Sequence, residues 1–457
     1  MEKRKLGSTL SSFQMQMIAI GGTIGVGLFM GSAAAIQWTG PSILLSYTFS
    51  GILIYIIMRA LGEMMYLRPI TGSFADFASD YIHPGAGFLT AWSNIFQWVM
   101  IGISEVIAIG QYLQYWWPNY PTWITSFIVV LILGLANLAS VKIYGKLESL
   151  LSLIKVLTII VMFILGLLVI LFGLGNHGKP LGIGNLWKHG GFFTGGVKGF
   201  MFSLSMVIAS YQGVEIVGIT AGEADNAKDS VIKSIRSIVL KVMVLYVGAI
   251  FVILAIYPWN QMGNIGSPFV KTFAKVGITF AAGIINFVVL TAALSGCNSG
   301  VFSSSRMMYT LSENGYLPKS FNKVSKRKIP YWPVMAIILG ILLGSLINYA
   351  LPLFFKSAAD MFVLVFGASV LPGMVPWFVI LISHLGFIKR HEEELVDHPF
   401  RLPGAPWINY VALVLLVAIV IFMFFNPETR ASIMIGLGFE ILMIVIYLIK
   451  YRKSDAK

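Results

Sequence analysis

With 457 residues, 57% of them hydrophobic and only 11% charged, the chain is far more apolar than soluble domains, where about a quarter of residues carry charge. Apolar runs of about 20 residues recur from end to end, which makes this a polytopic helical membrane protein with no room for a separate soluble domain. The net charge of +13 therefore needs a reading other than nucleic acid, and the single cysteine, Cys297, excludes an intrachain disulfide.

Twelve spans are predicted, at about 14–35, 41–65, 86–115, 122–141, 148–174, 195–221, 238–257, 276–310, 332–350, 360–386, 408–425 and 432–449. The first follows Lys3, Arg4 and Lys5 as a signal peptide would. It is nevertheless long, lacks a small-residue cleavage site and precedes further spans, so it is expected to remain in the mature protein. Its middle holds glycines at 21, 22, 25, 27 and 31. Each interior glycine costs a helix roughly 0.5–1 kcal/mol against alanine, and in lipid every freed backbone group needs a partner. Two readings stay open from this stretch alone: a helix broken at a substrate site, or a glycine-lined helix contact through Gly21/Gly25 and Gly27/Gly31.

Assigning alternate loops to opposite sides puts 24 Lys and Arg on the side of the N-terminus and seven on the other, with Lys155 inside span 5. By the positive-inside rule both termini are cytoplasmic, and the basic balance reflects topology and anionic headgroups. The turn after span 3, with Tyr115, Trp116, Trp117, Tyr120 and Trp123 among prolines, reads as an external aromatic belt. Residues 66–87 are polar enough for a cytoplasmic surface or re-entrant helix, and Lys323, Lys326, Arg327 and Lys328 read as a cytoplasmic anchor.

Span 6 is the second unusual one, running Ala209, Ser210, Tyr211, Gln212, Gly213, Val214, Glu215 through its centre. Interrupted spans five apart are the signature of two inverted five-helix repeats around one site. This places repeat one at about 14–174, repeat two at about 195–386 and extra helices at about 408–449, in one transmembrane domain. Glu105, Lys155 and Glu215 fall well within spans, where a charge costs about 2.5–3.5 kcal/mol on insertion scales. They are read as proton carriers, Lys155 alternatively as a fixed cation or as half of a buried salt bridge with a glutamate. Glu223, beside Asp225 and Asp229, reads equally as a solvated or capping carboxylate. The Ser295–Ser305 region of span 8 is dense in small and hydroxyl residues, which favours close helix packing or oxygens for an ion. The histidines lack ligand spacing, no nucleophile–base set is present and no Walker lysine follows the glycines, so no cofactor, metal or enzymatic activity is expected.

Residues 21–31, Gly40-Pro41-Ser42, residues 58–64, Gly72-Ser73-Phe74, the Glu215 and Glu223 motifs and Asn298-Ser299-Gly300 together resemble the bacterial amino-acid permeases of the amino acid–polyamine–organocation superfamily. Residues 209–213, 291–298 and 369–377 look closest to its proline-specific and histidine permeases. The resemblance implies an all-α protein of twelve transmembrane helices, a five-plus-five inverted repeat with helices 1 and 6 broken, two further helices, and alternating access. It implies that a substrate carboxylate meets N–H groups of Thr23, Ile24, Gly25, Val26 and Gly27. The α-ammonium would meet carbonyls around Gly22, Ala209, Ser210 and Tyr211, and Lys155 would stand where sodium-coupled relatives bind an ion. Side-chain selectivity falls to Ala209, Ser210, Tyr211 and Gln212, beside Gly213, with Ile103, Ser104 and Glu105, Gln212 or Glu105 being able to read a histidine ring. The function expected is import of an amino acid across the cytoplasmic membrane by proton symport, proline or histidine first and small neutral amino acids next. An exchanger, or a channel or nutrient sensor, is the alternative. Partners are the substrate, protons and the bilayer, without nucleic acid or an obligate protein.

Overall fold

The structure, a computed structural model, describes residues 10–70, 72–139, 141–221, 223, 227–262, 268–275, 279–350 and 358–452. Lys3, Arg4, Lys5, Gly222, Asp225 and Lys356 lie outside the described residues. In chain order the helices are α1 (Ser12–Thr23), α2 (Ser32–Thr39), α3 (Ile43–Leu67), α4 (Ser73–Tyr81), α5 (Pro84–Leu113), α6 (Thr122–Ala139), α7 (Val141–Phe172), α8 (Asn185–Lys188) and α9 (Gly196–Ala209). They continue as α10 (Ile216–Ala221), α11 (Ala227–Ile256), α12 (Pro268–Lys275), α13 (Thr279–Glu313), α14 (Tyr331–Ala350), α15 (Ala358–Ala368), α16 (Val370–Arg390), α17 (Trp407–Phe425) and α18 (Pro427–Lys450).

Local chemistry sets several of the ends. Ser11 accepts the Gln14 N–H at 3.2 Å while Gln14 Oε1 accepts the Ser11 N–H at 3.0 Å, a reciprocal cap that starts α1. Proline opens α5 and α18, after His83 and Asn426, whose side chains accept the next free N–H at 3.0 and 3.1 Å. The polar segment after α3 forms a short helix, α4, as its sequence predicts, with Phe74 and Phe77 buried beneath it.

Among the described residues nine helical stretches are long and apolar enough to cross a membrane. The first, Ser12–Leu67, is 56 residues long, and Gly196–Ala209 and Tyr331–Leu346 are shorter apolar helices. Two groups of helices organise the interior. α3 runs along α11, and α1 packs on α7, α13, α11 and α10. α5 lies along α13, with α6 and α14 beside that pair. α17 and α18 sit at the periphery, with Val414, Phe425, Ile441 and Ile449 on exposed faces. Such apolar faces suit lipid, where helix contact brings no extra hydrophobic gain and small residues set the close approaches.

Candidate functional site at two facing helix breaks

α1 ends at Thr23, and the chain resumes helical form at Val26 with one wide turn over Gly27–Gly31 before α2. Ending a helix frees carbonyls at the negative end of its dipole, and a cation meets them here. Lys155 of α7, fully buried, donates 2.6 Å to the Gly21 carbonyl and 2.9 Å to that of Ile24. Among the described residues no carboxylate oxygen lies within 4.0 Å of its nitrogen. The arrangement is thus a cation on carbonyls, and a direct Lys155–glutamate salt bridge is not what the helices form.

The second break faces the first. α9 ends at Ala209, residues 210–215 run as turns, and α10 restarts at Ile216. Gly213 has φ +104°, and a methyl group on it would stand 2.6 Å from the Gly22 carbonyl oxygen. Only glycine serves at such a contact. The Tyr246 hydroxyl of α11 stands 2.8 Å from the Thr23 carbonyl and 2.9 Å from that of Ser210, so one side chain ties the two broken helices together. Tyr211 turns away from that gap and donates to the Tyr47 carbonyl at 2.8 Å.

The two glutamates and one glutamine near the breaks do not share a duty. Glu105 of α5 lies beneath the first break, its Oε1 accepting the Val26 N–H at 3.3 Å. The Ile24 and Gly25 N–H groups are satisfied by the Ile20 and Thr23 carbonyls at 2.9 and 3.0 Å. Of the N–H groups expected to meet a carboxylate, Val26 already holds one, and it belongs to the protein. Glu215 folds back on its own break, accepting the Gly213 N–H at 3.1 and 3.0 Å, with Gln97 Nε2 at 3.4 Å. Gln212 does not present its amide to the gap. It donates to the Val370 carbonyl at 3.1 Å, where α15 gives way to α16 at Ser369. Ser104 likewise donates to the Ile101 carbonyl at 2.7 Å, and Ile103 packs against Gly344 of α14. The walls that approach the first break are Phe366, Ser210 and Met206, which touch the Gly27 and Gly31 side of it.

Two further ionisable sets are buried: one escapes the sequence reading and the other departs from it. Glu148, in the first part of α7, is fully buried and bonded to the Ser295 hydroxyl and to Asn298 Nδ2 at 2.9 Å. Its position near a predicted span end hid it, and the serines of span 8 serve this carboxylate as well as packing. Glu223 is neither solvated nor a simple cap. It is fully buried and accepts from Arg306 Nε of α13 at 2.8 Å, and its backbone carbonyl accepts the Leu10 N–H at 3.1 Å. Arg306, which charge counting assigns to a cytoplasmic loop, also lies 3.6 Å above the Phe302 ring. Removing one partner of a buried pair strands the other charge, at about 3–5 kcal/mol. Arg306→Ala is therefore expected to lower the melting temperature of the detergent-purified protein sharply, and Arg306→Ala/Glu223→Gln to regain part of the loss. Equal melting of wild type and Arg306→Ala would show the pair to be idle.

Comparison with known proteins agrees with this arrangement. The family model described as amino acid permease matches residues 14–454. The probable threonine/serine transporter YbxG of Bacillus subtilis is 52% identical over 98% of this chain and 96% of its own. The amino-acid permease AapA of the same organism is 37% identical over 99% and 97%, and the aromatic amino acid transport protein AroP of Escherichia coli 36% over 98% and 96%. A manganese transporter of Eremococcus coleocola shares the fold, with TM-score 0.65 over 98% of both chains at 11% identity. None of these names a proline-specific or histidine permease, so the expected placement in that branch gives way to one beside a threonine/serine transporter. The chain belongs to the amino acid permease family, multi-pass membrane proteins that transport amino acids and are not enzymes.

Proposed function

We propose that the protein imports a small hydroxylated amino acid, threonine or serine, by proton symport and alternating access. The observation that carries the site is Tyr246 spanning the Thr23 and Ser210 carbonyls, which brings the ends of two broken helices to one gap. The substrate carboxylate takes the Val26 N–H in place of Glu105 Oε1, and carbonyls around Gly22 and Ala209–Tyr211 take the ammonium, a clamp indifferent to side chain. What remains for selectivity is Ser210, Met206, Phe366 and the glycine surface of Gly27, a compact wall with a hydroxyl. Gln212, held by Val370, offers nothing to an imidazole, which weakens the histidine reading. The 52% identity to a protein named as a threonine/serine transporter supports the same choice.

The same reading takes Ser12–Leu67 as two crossings and counts both shorter apolar helices, which gives twelve spans with both termini cytoplasmic. α1–α7 and α9–α16 form the two inverted repeats, and α17 and α18 are additions. The pairing of α3 with α11 and of α5 with α13 supports it, since each joins equivalent helices of the two halves.

Uptake of radiolabelled L-threonine into proteoliposomes, competed by each of the twenty amino acids, tests the proposal. Threonine and serine are expected to compete best, and alanine and glycine next. Proline or histidine outcompeting both would overturn the hydroxyl assignment, and lysine, arginine or glutamate doing so would overturn the compact pocket as well. An uncoupler should abolish accumulation, whereas indifference to it would favour exchange.

A further inference from the structure

We propose that Glu148 is the acceptor that takes the coupling proton from Lys155 towards the cytoplasm, through Ser152. The inference rests on the symport reading above and deepens it. Glu148, Ser152 and Lys155 stand at i, i+4 and i+7 on α7, one face of a helix. All three converge on the same residue of α1. A methyl group at Gly21 would fall on the Ser152 hydroxyl, against Glu148 Oε1, and 3.2 Å from Ser295 Oγ, while the Gly21 carbonyl accepts from Lys155. Gly21 therefore leaves room for a polar track under the first break. Within it Ser152 Oγ is buried and, among the described residues, hydrogen-bonded to neither neighbour, so the relay requires its hydroxyl to turn onto Lys155 and Glu148 as the proton passes.

The surroundings of Glu148 fit a proton-holding group better than a packing residue. α13 presents Ser295, Asn298 and Ser299 to it, and α6 reaches the set through Asn137, which donates to Asn298 at 2.7 Å. The titratable and charged groups facing it are Lys155 and Tyr144 of its own helix, with Arg306 and Glu223 beyond Tyr144. From α1 the Gly21 surface approaches it. A carboxyl with hydroxyl and amide partners is accommodated both ionised, as an acceptor, and protonated, as a donor. Glu148 also lies nearer than Lys155 to the start of α7, the end that the charge distribution assigns to the cytoplasm.

The step balances simply. A Lys155 N–H bond breaks and a Ser152 O–H bond forms as the serine proton passes to a Glu148 oxygen. Lysine is left as a neutral amine and Glu148 as a neutral acid. Loss of the amine's charge weakens its hold on the Gly21 and Ile24 carbonyls, which loosens the break in the inward-facing state. Cytoplasmic water then takes the proton from Glu148, and external hydronium restores Lys155 after the return.

The test uses the full-length protein in proteoliposomes, with two readouts: accumulation of radiolabelled L-threonine driven by an imposed pH gradient, and threonine–threonine counterflow. In Glu148→Gln, gradient-driven accumulation is expected to fall from about tenfold per unit of imposed pH difference to near equality, while counterflow, which needs no net proton movement, persists. Glu148→Asp should restore part of the accumulation with a shifted pH profile. If the wild type itself shows counterflow but no gradient-driven accumulation, the symport reading fails, and this inference with it. If the wild type accumulates and Glu148→Gln accumulates equally, the assignment of Glu148 alone is overturned. Loss of both readouts in Glu148→Gln and Glu148→Asp alike would make the residue structural and would also overturn it.

Discussion

Gly25→Val is expected to abolish threonine uptake, by about 100-fold or more, in a protein that still reaches the membrane and purifies as a single species. The cause is steric and local. Gly25 sits in the two-residue gap between α1 and the next helical segment, and a side chain there would run into the Glu105 carboxylate. Pushing Glu105 aside removes the acceptor of the Val26 N–H, which stands 3.3 Å away, and fills the space a substrate carboxylate would use. Misplacement of a bound group by about 1 Å is enough for a 100-fold loss. Gly27→Val should behave alike, since a methyl group there would come within 2.9 Å of Phe366 Cζ and 3.2 Å of Ser210 Cα. Gly438→Ala is the control, because nothing lies within 4 Å of the added atom. Uptake by the control should equal wild type. Wild-type uptake by Gly25→Val would return residues 21–31 to the role of a packing contact.

The second large effect concerns the cation at the break. Lys155→Ala is expected to lose accumulation against a gradient while keeping some counterflow. A neutral amino acid carried with one proton moves one net charge, and each 100 mV of potential then contributes about 2.3 kcal/mol, roughly 50-fold in concentration. Without the lysine the Gly21 and Ile24 carbonyls lose their bonds at 2.6 and 2.9 Å, and the group proposed to carry the proton past the break is gone. Reconstituted protein with an imposed potential separates the outcomes. Potential-driven accumulation by Lys155→Ala at the wild-type level would show the ammonium to be a passive brace.

These two variants probe features of different legibility. The interruptions near residues 24–25 and 210–215 could be read from composition, because glycine density and polar residues in an otherwise apolar run are costly in lipid and need a local explanation. The cost of burying Lys155 could be read for the same reason. Its partners could not. A lysine in a span needs some acceptor, yet carbonyls freed by a break in another helix are specified by packing of α7 on α1, not by any residue near 155. Gln212 shows the opposite failure: composition assigns this polar side chain to the gap, and the turns between α9 and α10 aim it at the Val370 carbonyl instead.

The sequence by itself determined the class of the protein: its apolar runs and two interrupted helices follow from backbone hydrogen bonding in lipid, and its charge asymmetry from the positive-inside bias of the loops, both of which act residue by residue. Only the tertiary structure decided which buried charges meet. Glu148 with Ser295 and Asn298, Glu223 with Arg306, and Tyr246 with both breaks join residues separated by 147, 150, 83, 223 and 36 positions. Contacts at such separations depend on how helices cross, and that is settled by the close packing of their small residues rather than by local pattern.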